Sequence, residues 1–148
     1  MNVLISACLI GVSCRYDGKT KPLDEALLTK LKNAHHLIPI CPEIMGGLAT
    51  PRITAEITDG RKVTRRDCVD VTAEYEKGAA EALRLARFFG CDTAILKARS
   101  PSCGRDAIYD GSFSGTLTNA DGITAALLRQ NGIRIIREDE LALFLSEV

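Results

Sequence analysis

The 148-residue sequence has no excess of charge of either sign, because 19 lysines and arginines match 19 aspartates and glutamates. Nothing in this balance favours a polyanion, so we expect no nucleic acid partner. No apolar run approaches the ~18 residues of a membrane-spanning helix, and the N-terminal MNVLISACLIGVSC lacks the basic start of a secretion signal. We therefore expect a cytoplasmic protein, with residues 1–148 forming a single domain.

Several motifs that would indicate common chemistries are also missing. The first apolar run is followed by CLIGVSC rather than GxGxxG, and no Walker lysine follows. No CxxC occurs, which argues against a thioredoxin-like redox couple. The only histidines, His35 and His36, precede the second predicted strand. That is the wrong end of the sheet for a ligand crevice, so we expect them to be surface or packing residues.

Cysteine, by contrast, is abundant, with six in the chain. In a reducing compartment this usage indicates metal binding or catalysis more than disulfides. We expect Cys91, at the start of a strand, to be a small buried apolar residue. Cys68, before a helix, is expected to be structural or incidental. Cys14 lies in a loop, so its side-chain direction stays open.

Strands and helices alternate along the chain without a repeat or a linker. Short apolar runs predict strands at 2–7, 36–40, 93–98 and 133–137. Apolar residues at helical spacing predict helices at 24–34, 71–89, 123–131 and 139–147. An Asp59–Gly60 turn predicts a small β-hairpin insertion at 55–64, and residues 99–122 form a long polar loop. The pattern predicts a Rossmann-like three-layer α/β fold with a mainly parallel central sheet of at least four strands.

Three cysteines lie where three of these strands end. Cys8 and Cys41 follow the first and second strands, and Cys103 comes just past the third. In an open α/β sheet, ligands bind outside the carboxyl ends of the strands. We therefore expect the three thiols to meet in one crevice, as a metal or iron–sulfur site with one open coordination position would require.

Two of these cysteines stand in short motifs that favour a fixed geometry. In Cys41-Pro42-Glu43 the proline restrains the backbone between a thiol and a carboxylate suited to general acid or base work. In Ser100-Pro101-Ser102-Cys103-Gly104 two serine hydroxyls closely precede the third thiol. Without histidine, thiolate ligation favours an iron–sulfur cluster or zinc. A carrier of iron–sulfur or sulfide, or a zinc or thiol protein, therefore remains an alternative to an enzyme.

Several longer motifs together resemble the TudS-like thiouracil desulfidase family, over about residues 5–137. They are SACLIGVSCRYDG, PICPEIMGGLATPR followed by AEI, VDVTAEYEKGA, ILKARSPSCG, IYDGSFSG and GITAALLRQNGI.

The resemblance implies a [4Fe–4S] cluster held by only Cys8, Cys41 and Cys103, with the fourth iron free for the substrate's sulfur. It also implies that Glu43 is the catalytic carboxylate, and that a serine of the third motif takes part, with Ser100 favoured over Ser102. The implied reaction is a non-redox desulfuration of a small thiolated base such as 2-thiouracil. In it, Glu43 takes a proton from the attacking water.

Overall fold

The computed structural model describes residues 1–147, and its elements follow the predicted alternation of strands and helices. In chain order they are β1 (Asn2–Ser6), α1 (Glu25–Ala34), β2 (His36–Ile40), α2 (Pro42–Met45), β3 (Ala55–Ile57), β4 (Val63–Arg65), α3 (Thr72–Phe88), β5 (Thr93–Leu96), β6 (Ile108–Tyr109), β7 (Leu117–Thr118), α4 (Ile123–Gln130), β8 (Arg134–Arg137) and α5 (Leu141–Ser146). Short 3₁₀ segments occupy Ala7–Ile10, Asp59–Arg61 and Glu138–Glu140. None of the helices in residues 1–147 is long and apolar enough to cross a membrane.

The four predicted strands form one parallel sheet in the order β2-β1-β5-β8. Successive residues of a strand point to opposite faces. Leu4 accordingly packs with residues of α3 and α4 on one face, and Val3 and Ile5 pack with residues of α1 and α5 on the other. The sheet thus forms the middle of three layers, as predicted. The same topology brings the carboxyl ends of β1, β2, β5 and β8 to one edge.

The predicted hairpin insertion is present, with a turn one residue longer than Asp59–Gly60. Ile57 pairs with Val63, and the backbone N–H of Thr58 donates to the carbonyl of Lys62 at 2.7 Å, which leaves a three-residue turn over 59–61. The hairpin packs its apolar residues against α3 and β6. A second small hairpin, β6–β7, lies within the long loop that the sequence left without structure.

The helix α2, which follows Cys41 directly, lies unusually close to α3. A Cβ added at Gly78 of α3 would stand 1.9 Å from the carbonyl oxygen of Pro42, and one at Gly46 would stand 1.9 Å from that of Glu74. Real side chains do not tolerate such distances. Gly78 therefore allows the backbone of α2 to approach α3 this closely. This contact fixes the segment that carries Cys41 and Glu43.

Replacing Gly78 by alanine should destabilise the fold by about 1–3 kcal/mol, because the new methyl group overlaps backbone that cannot move aside. Helix propensity alone predicts the opposite effect, a gain in stability of roughly 1 kcal/mol. Urea denaturation under anaerobic conditions measures the difference. Ala80→Gly, at an exposed position of the same helix, serves as the control and should cost roughly 1 kcal/mol. A Gly78→Ala variant as stable as the parent would contradict the close contact.

Candidate active site

A cavity of about 530 Å³ opens at the edge of the sheet where the parallel strands end. Its lining begins with the last residues of β1 and β2, Ser6 and Ile40, and continues with Lys97 and Ala98 after β5. The hairpin strand β3, the helix α3 and the long loop after β5 contribute further walls, as do the loops that follow β1 and β2. This is the position at which open α/β sheets bind ligands.

Cys8, Cys41 and Cys103 all line this cavity. Cys8 lies in the 3₁₀ segment that follows β1, and Cys41 immediately precedes α2. Cys8 and Cys103 are buried, and Cys41 is half-buried. Burial is the main reason why the pKa values of Cys8 and Cys103 are raised, and neighbouring thiols add to it: Cys41 raises the pKa of Cys8, and Cys8 raises that of Cys103. The expected convergence of three thiols at one crevice is therefore present.

A tight turn docked on α4 positions Cys103. The hydroxyl of Ser100 accepts hydrogen bonds from the backbone N–H groups of Ser102 and Cys103, at 3.0 and 3.1 Å. The first turn of α4 then donates its free N–H groups to the carbonyls of Pro101 and Ser102, with Thr124 N–H at 2.9 Å from the latter. These contacts hold the backbone of the turn and so fix the point from which the Cys103 side chain extends.

The two serines of this turn occupy different environments. Ser100 lines the cavity, and its hydroxyl hydrogen is not used by the two contacts that it accepts. Ser102 is fully buried beneath the turn and is not among the residues that line the cavity. Its hydroxyl pairs with that of Thr124 at 3.1 Å and lies 3.8 Å from the Cys103 sulfur. Ser100 can therefore contact a ligand, whereas Ser102 contacts a thiol.

Burial keeps the cavity thiols protonated when nothing is bound. It raises the pKa of Cys8 to about 11, although nearby Lys97 acts in the opposite direction. Burial also raises the pKa of Cys41 to about 12, with the carboxylate of Glu43 adding to the effect. The pKa of Cys103 is raised well above its ordinary value for the same two reasons. A metal ligand must be a thiolate, so metal binding here has to displace protons.

A fourth thiol, Cys14, also lines the cavity. It is buried, and its carbonyl oxygen accepts a hydrogen bond from the Cys41 sulfur at 3.8 Å. The side-chain direction that the sequence left open is therefore inward. Cys68 is exposed and Cys91 is buried in the core beneath α3, as expected of residues without a role in the site.

Glu43 lines the cavity beside Arg52, a residue that the sequence analysis did not single out. A nitrogen of the Arg52 guanidinium stands 3.2 Å from Glu43 Oε2, and the two side chains are only 9% and 14% exposed. Tyr75 of α3, also buried in the cavity wall, lies near both. Burial raises the pKa of Tyr75 well above its ordinary value, with Glu43 adding to the effect and Arg52 opposing it.

A second buried carboxylate, Glu56, also lines the cavity. Glu56 of β3 accepts hydrogen bonds on Oε1 from the backbone N–H groups of Gly111 and Phe113, at 2.9 and 3.1 Å. The ring of Phe113, which lines the cavity, carries the guanidinium of Arg66 5.3 Å above its centre. The sequence did not indicate a role for Glu56, because a strand with apolar, charged and apolar residues in turn predicts that the charged side chain is exposed. In the structure all three residues of β3 are buried.

The donor chemistry of the cavity suits a thiolate-ligated cluster, because free thiols line it together with basic side chains. No group of three or more His, Cys, Asp or Glu side chains within residues 1–147 is arranged to hold one metal ion. His35 stacks on Phe144 and His36 is exposed, and neither lines the cavity. A four-iron cluster is wider than one ion, so its ligands stand farther apart around a larger space. Six lysines and arginines line the cavity against two glutamates, a balance that suits a group carrying three thiolates.

The fold and the cavity thus define an α/β protein with a thiol-lined ligand site at the carboxyl edge of its parallel sheet. Residues 3–140 match the model of the 2-thiouracil desulfurase family. The chain belongs to this family and is an enzyme of the desulfuration type.

Two relatives match this chain over almost their entire lengths. The solved structure of the [4Fe-4S]-dependent thiouracil desulfidase TudS is 43% identical, with a TM-score of 0.91 over 99% of each chain. The uncharacterized protein YbbK of Bacillus subtilis (strain 168) is 40% identical over 94% of this chain and 97% of its own. The likeness to TudS confirms the fold class predicted from the sequence.

Proposed function

We propose that this protein removes sulfur from a small thiolated nucleobase of the 2-thiouracil type, with a [4Fe–4S] cluster held by Cys8, Cys41 and Cys103. The observation that carries the proposal is that these three thiols and the Glu43 carboxylate line one cavity at the carboxyl edge of the sheet. The sulfur-removing family and the cluster-dependent relative TudS both support it. When bound by three thiolates, the cluster would supply a Lewis-acidic iron with a free position for the substrate's sulfur.

The cavity offers the chain's own groups for the remaining chemistry. Glu43 would take a proton from the water that attacks the thiocarbonyl carbon, because a carboxylate in a half-closed cavity can act as a general base. Its neighbour Arg52 keeps one carboxylate oxygen engaged. The attack of water on the thiocarbonyl carbon changes no oxidation state, so the reaction needs no reductant. Overall, the thioamide and water become the amide and sulfide.

Ser100 and Ser102 would act in different ways. The Ser100 hydroxyl, which lines the cavity and accepts two backbone hydrogen bonds, would donate its hydrogen to the substrate. Ser102, buried beside Thr124 and the Cys103 sulfur, would orient that thiolate and would not meet the substrate. We also propose a cytoplasmic location, since all six cysteines are free thiols.

The experiment is turnover of 2-thiouracil and of 4-thiouracil by anaerobically reconstituted protein, in H₂¹⁸O and without a reductant. We expect uracil that carries one ¹⁸O atom, together with free sulfide. Zinc-loaded and metal-free protein are the controls and should not turn over. Cluster-bound protein that takes up sulfide but forms no uracil would favour a sulfide carrier. Zinc-loaded protein that is fully active would exclude the cluster requirement.

A further inference from the structure

We propose that Arg52 is a positioning residue that holds the Glu43 carboxylate in its working orientation. The proposal rests on the function proposed above and adds a residue to it. It starts from the 3.2 Å contact between Arg52 Nη2 and Glu43 Oε2, made within the cavity by two side chains that are almost inaccessible to water.

Arg52 is itself held rigidly, which a positioning role requires. Its Nη2 also donates to the carbonyl of Cys14 at 3.1 Å, and its Nη1 donates to Thr50 Oγ1 at 3.1 Å and to the carbonyl of Ala49 at 3.3 Å. These hydrogen bonds engage both Nη1 and Nη2, so the guanidinium cannot rotate freely. An arginine suits this task better than a lysine, whose ammonium is a single point of charge on a flexible stem.

The contact also leaves Glu43 able to act. Arg52 engages Oε2, and no hydrogen bond within residues 1–147 engages Oε1. One oxygen is thus anchored while the other is available to accept a proton. The short helix α2 fixes the Glu43 backbone through the close approach of Pro42 to Gly78. Arg52 supplies the remaining constraint, because a glutamate side chain has several rotatable bonds beyond its backbone.

A purely structural role is the competing explanation, because Arg52 also ties together two loops. Its backbone N–H donates to the carbonyl of Tyr16 at 2.7 Å, and its side chain reaches the carbonyl of Cys14. A structural role predicts lost stability or lost cluster, with loss of activity following from either. A positioning role predicts a properly folded, cluster-loaded enzyme with a displaced carboxylate and a slow chemical step.

The test compares Arg52→Ala and Arg52→Lys in the reconstituted enzyme with 2-thiouracil. We expect Arg52→Ala to lower kcat by about 100-fold with little change in KM, since a misplaced catalytic group costs on this order. Arg52→Lys should recover part of the loss, and added guanidinium ion should partly rescue Arg52→Ala. Arg65→Ala removes a half-buried arginine paired with Asp67, outside the cavity, and should leave kcat unchanged.

Three further readouts separate positioning from structure. Iron content and the urea midpoint should match the parent, and a crystal structure of Arg52→Ala should show the Glu43 carboxylate moved. If Arg52 acts through Glu43, the double variant Arg52→Ala, Glu43→Gln should be no slower than Glu43→Gln alone. Loss of cluster, an unmoved Glu43 or independent effects of the two substitutions would overturn the proposal. If the parent enzyme does not turn over 2-thiouracil, the proposed function is wrong. The position of the Glu43 carboxylate in the crystal structure of Arg52→Ala then still decides whether Arg52 positions it.

Discussion

Replacing Cys41 by serine should leave the protein unable to retain a [4Fe–4S] cluster, with iron falling from about four atoms per chain to near zero. Serine has nearly the shape of cysteine, so the fold should survive. Its hydroxyl is a hard, weakly acidic donor that iron in such clusters does not favour over a thiolate. Only three protein ligands are proposed, so this substitution removes one third of the protein's bonds to the cluster. Iron and sulfide analysis after anaerobic reconstitution, with the visible absorption spectrum, measures the effect.

Two other cysteines serve as matched controls for this experiment. Cys68→Ser, at an exposed position outside the cavity, should keep the full iron content. Cys14→Ser is the sharper control, because this thiol lines the same cavity next to Cys41. We expect it to retain the cluster, and Cys8→Ser and Cys103→Ser to lose it. A Cys14 variant that lost its cluster while a Cys8 variant kept it would show that the ligand set is assigned wrongly.

The convergence of Cys8 and Cys41 was predictable because it follows from topology alone. Once β1, β2 and β5 are recognised as parallel strands of one sheet, their carboxyl ends must share an edge. Cys8 and Cys41 lie within two residues of such ends, so a small error in the predicted strand length does not change the edge at which they lie. Cys103 lies seven positions beyond Leu96, the last residue of β5. It reaches the same edge because the Ser100 turn folds back onto α4, a contact invisible to strand and helix patterns.

The partners of Glu43 were not predictable in the same way. Arg52 lies in a proline- and glycine-rich stretch with no periodicity, and nothing in the sequence says where its side chain points. Its contacts with Glu43 and with the Cys14 carbonyl join residues 9 and 38 positions apart. A glycine inside a helix, such as Gly78, indicates a close neighbour but does not say which element that neighbour is. The neighbour is α2, a single helical turn too short to give a periodic signal.

Replacing Glu43 by glutamine should lower kcat by about 10²–10⁴-fold while the cluster remains intact. Glutamine keeps the size of the side chain, and its carbonyl oxygen can still accept a hydrogen bond from Arg52. It cannot take a proton from water, so the loss isolates the base function from the positioning contact. The measurement is kcat and KM for 2-thiouracil at matched iron content. We expect KM to change little, because the carboxylate acts on water and not on the bound base.

The control for this substitution is Glu81→Gln, which removes a carboxylate from α3 outside the cavity and should leave kcat unchanged. A stronger comparison uses a thiolated base whose thiocarbonyl carbon is more electrophilic. Such a carbon needs less activation of the attacking water, so the difference in kcat between Glu43→Gln and the parent should become smaller. If the Glu43→Gln enzyme retained full activity with its cluster in place, another group would have to activate the water. Glu56, the other carboxylate in the cavity wall, is bound by two backbone N–H groups through Oε1. It is therefore less free than Glu43 to approach a water molecule beside the three thiols.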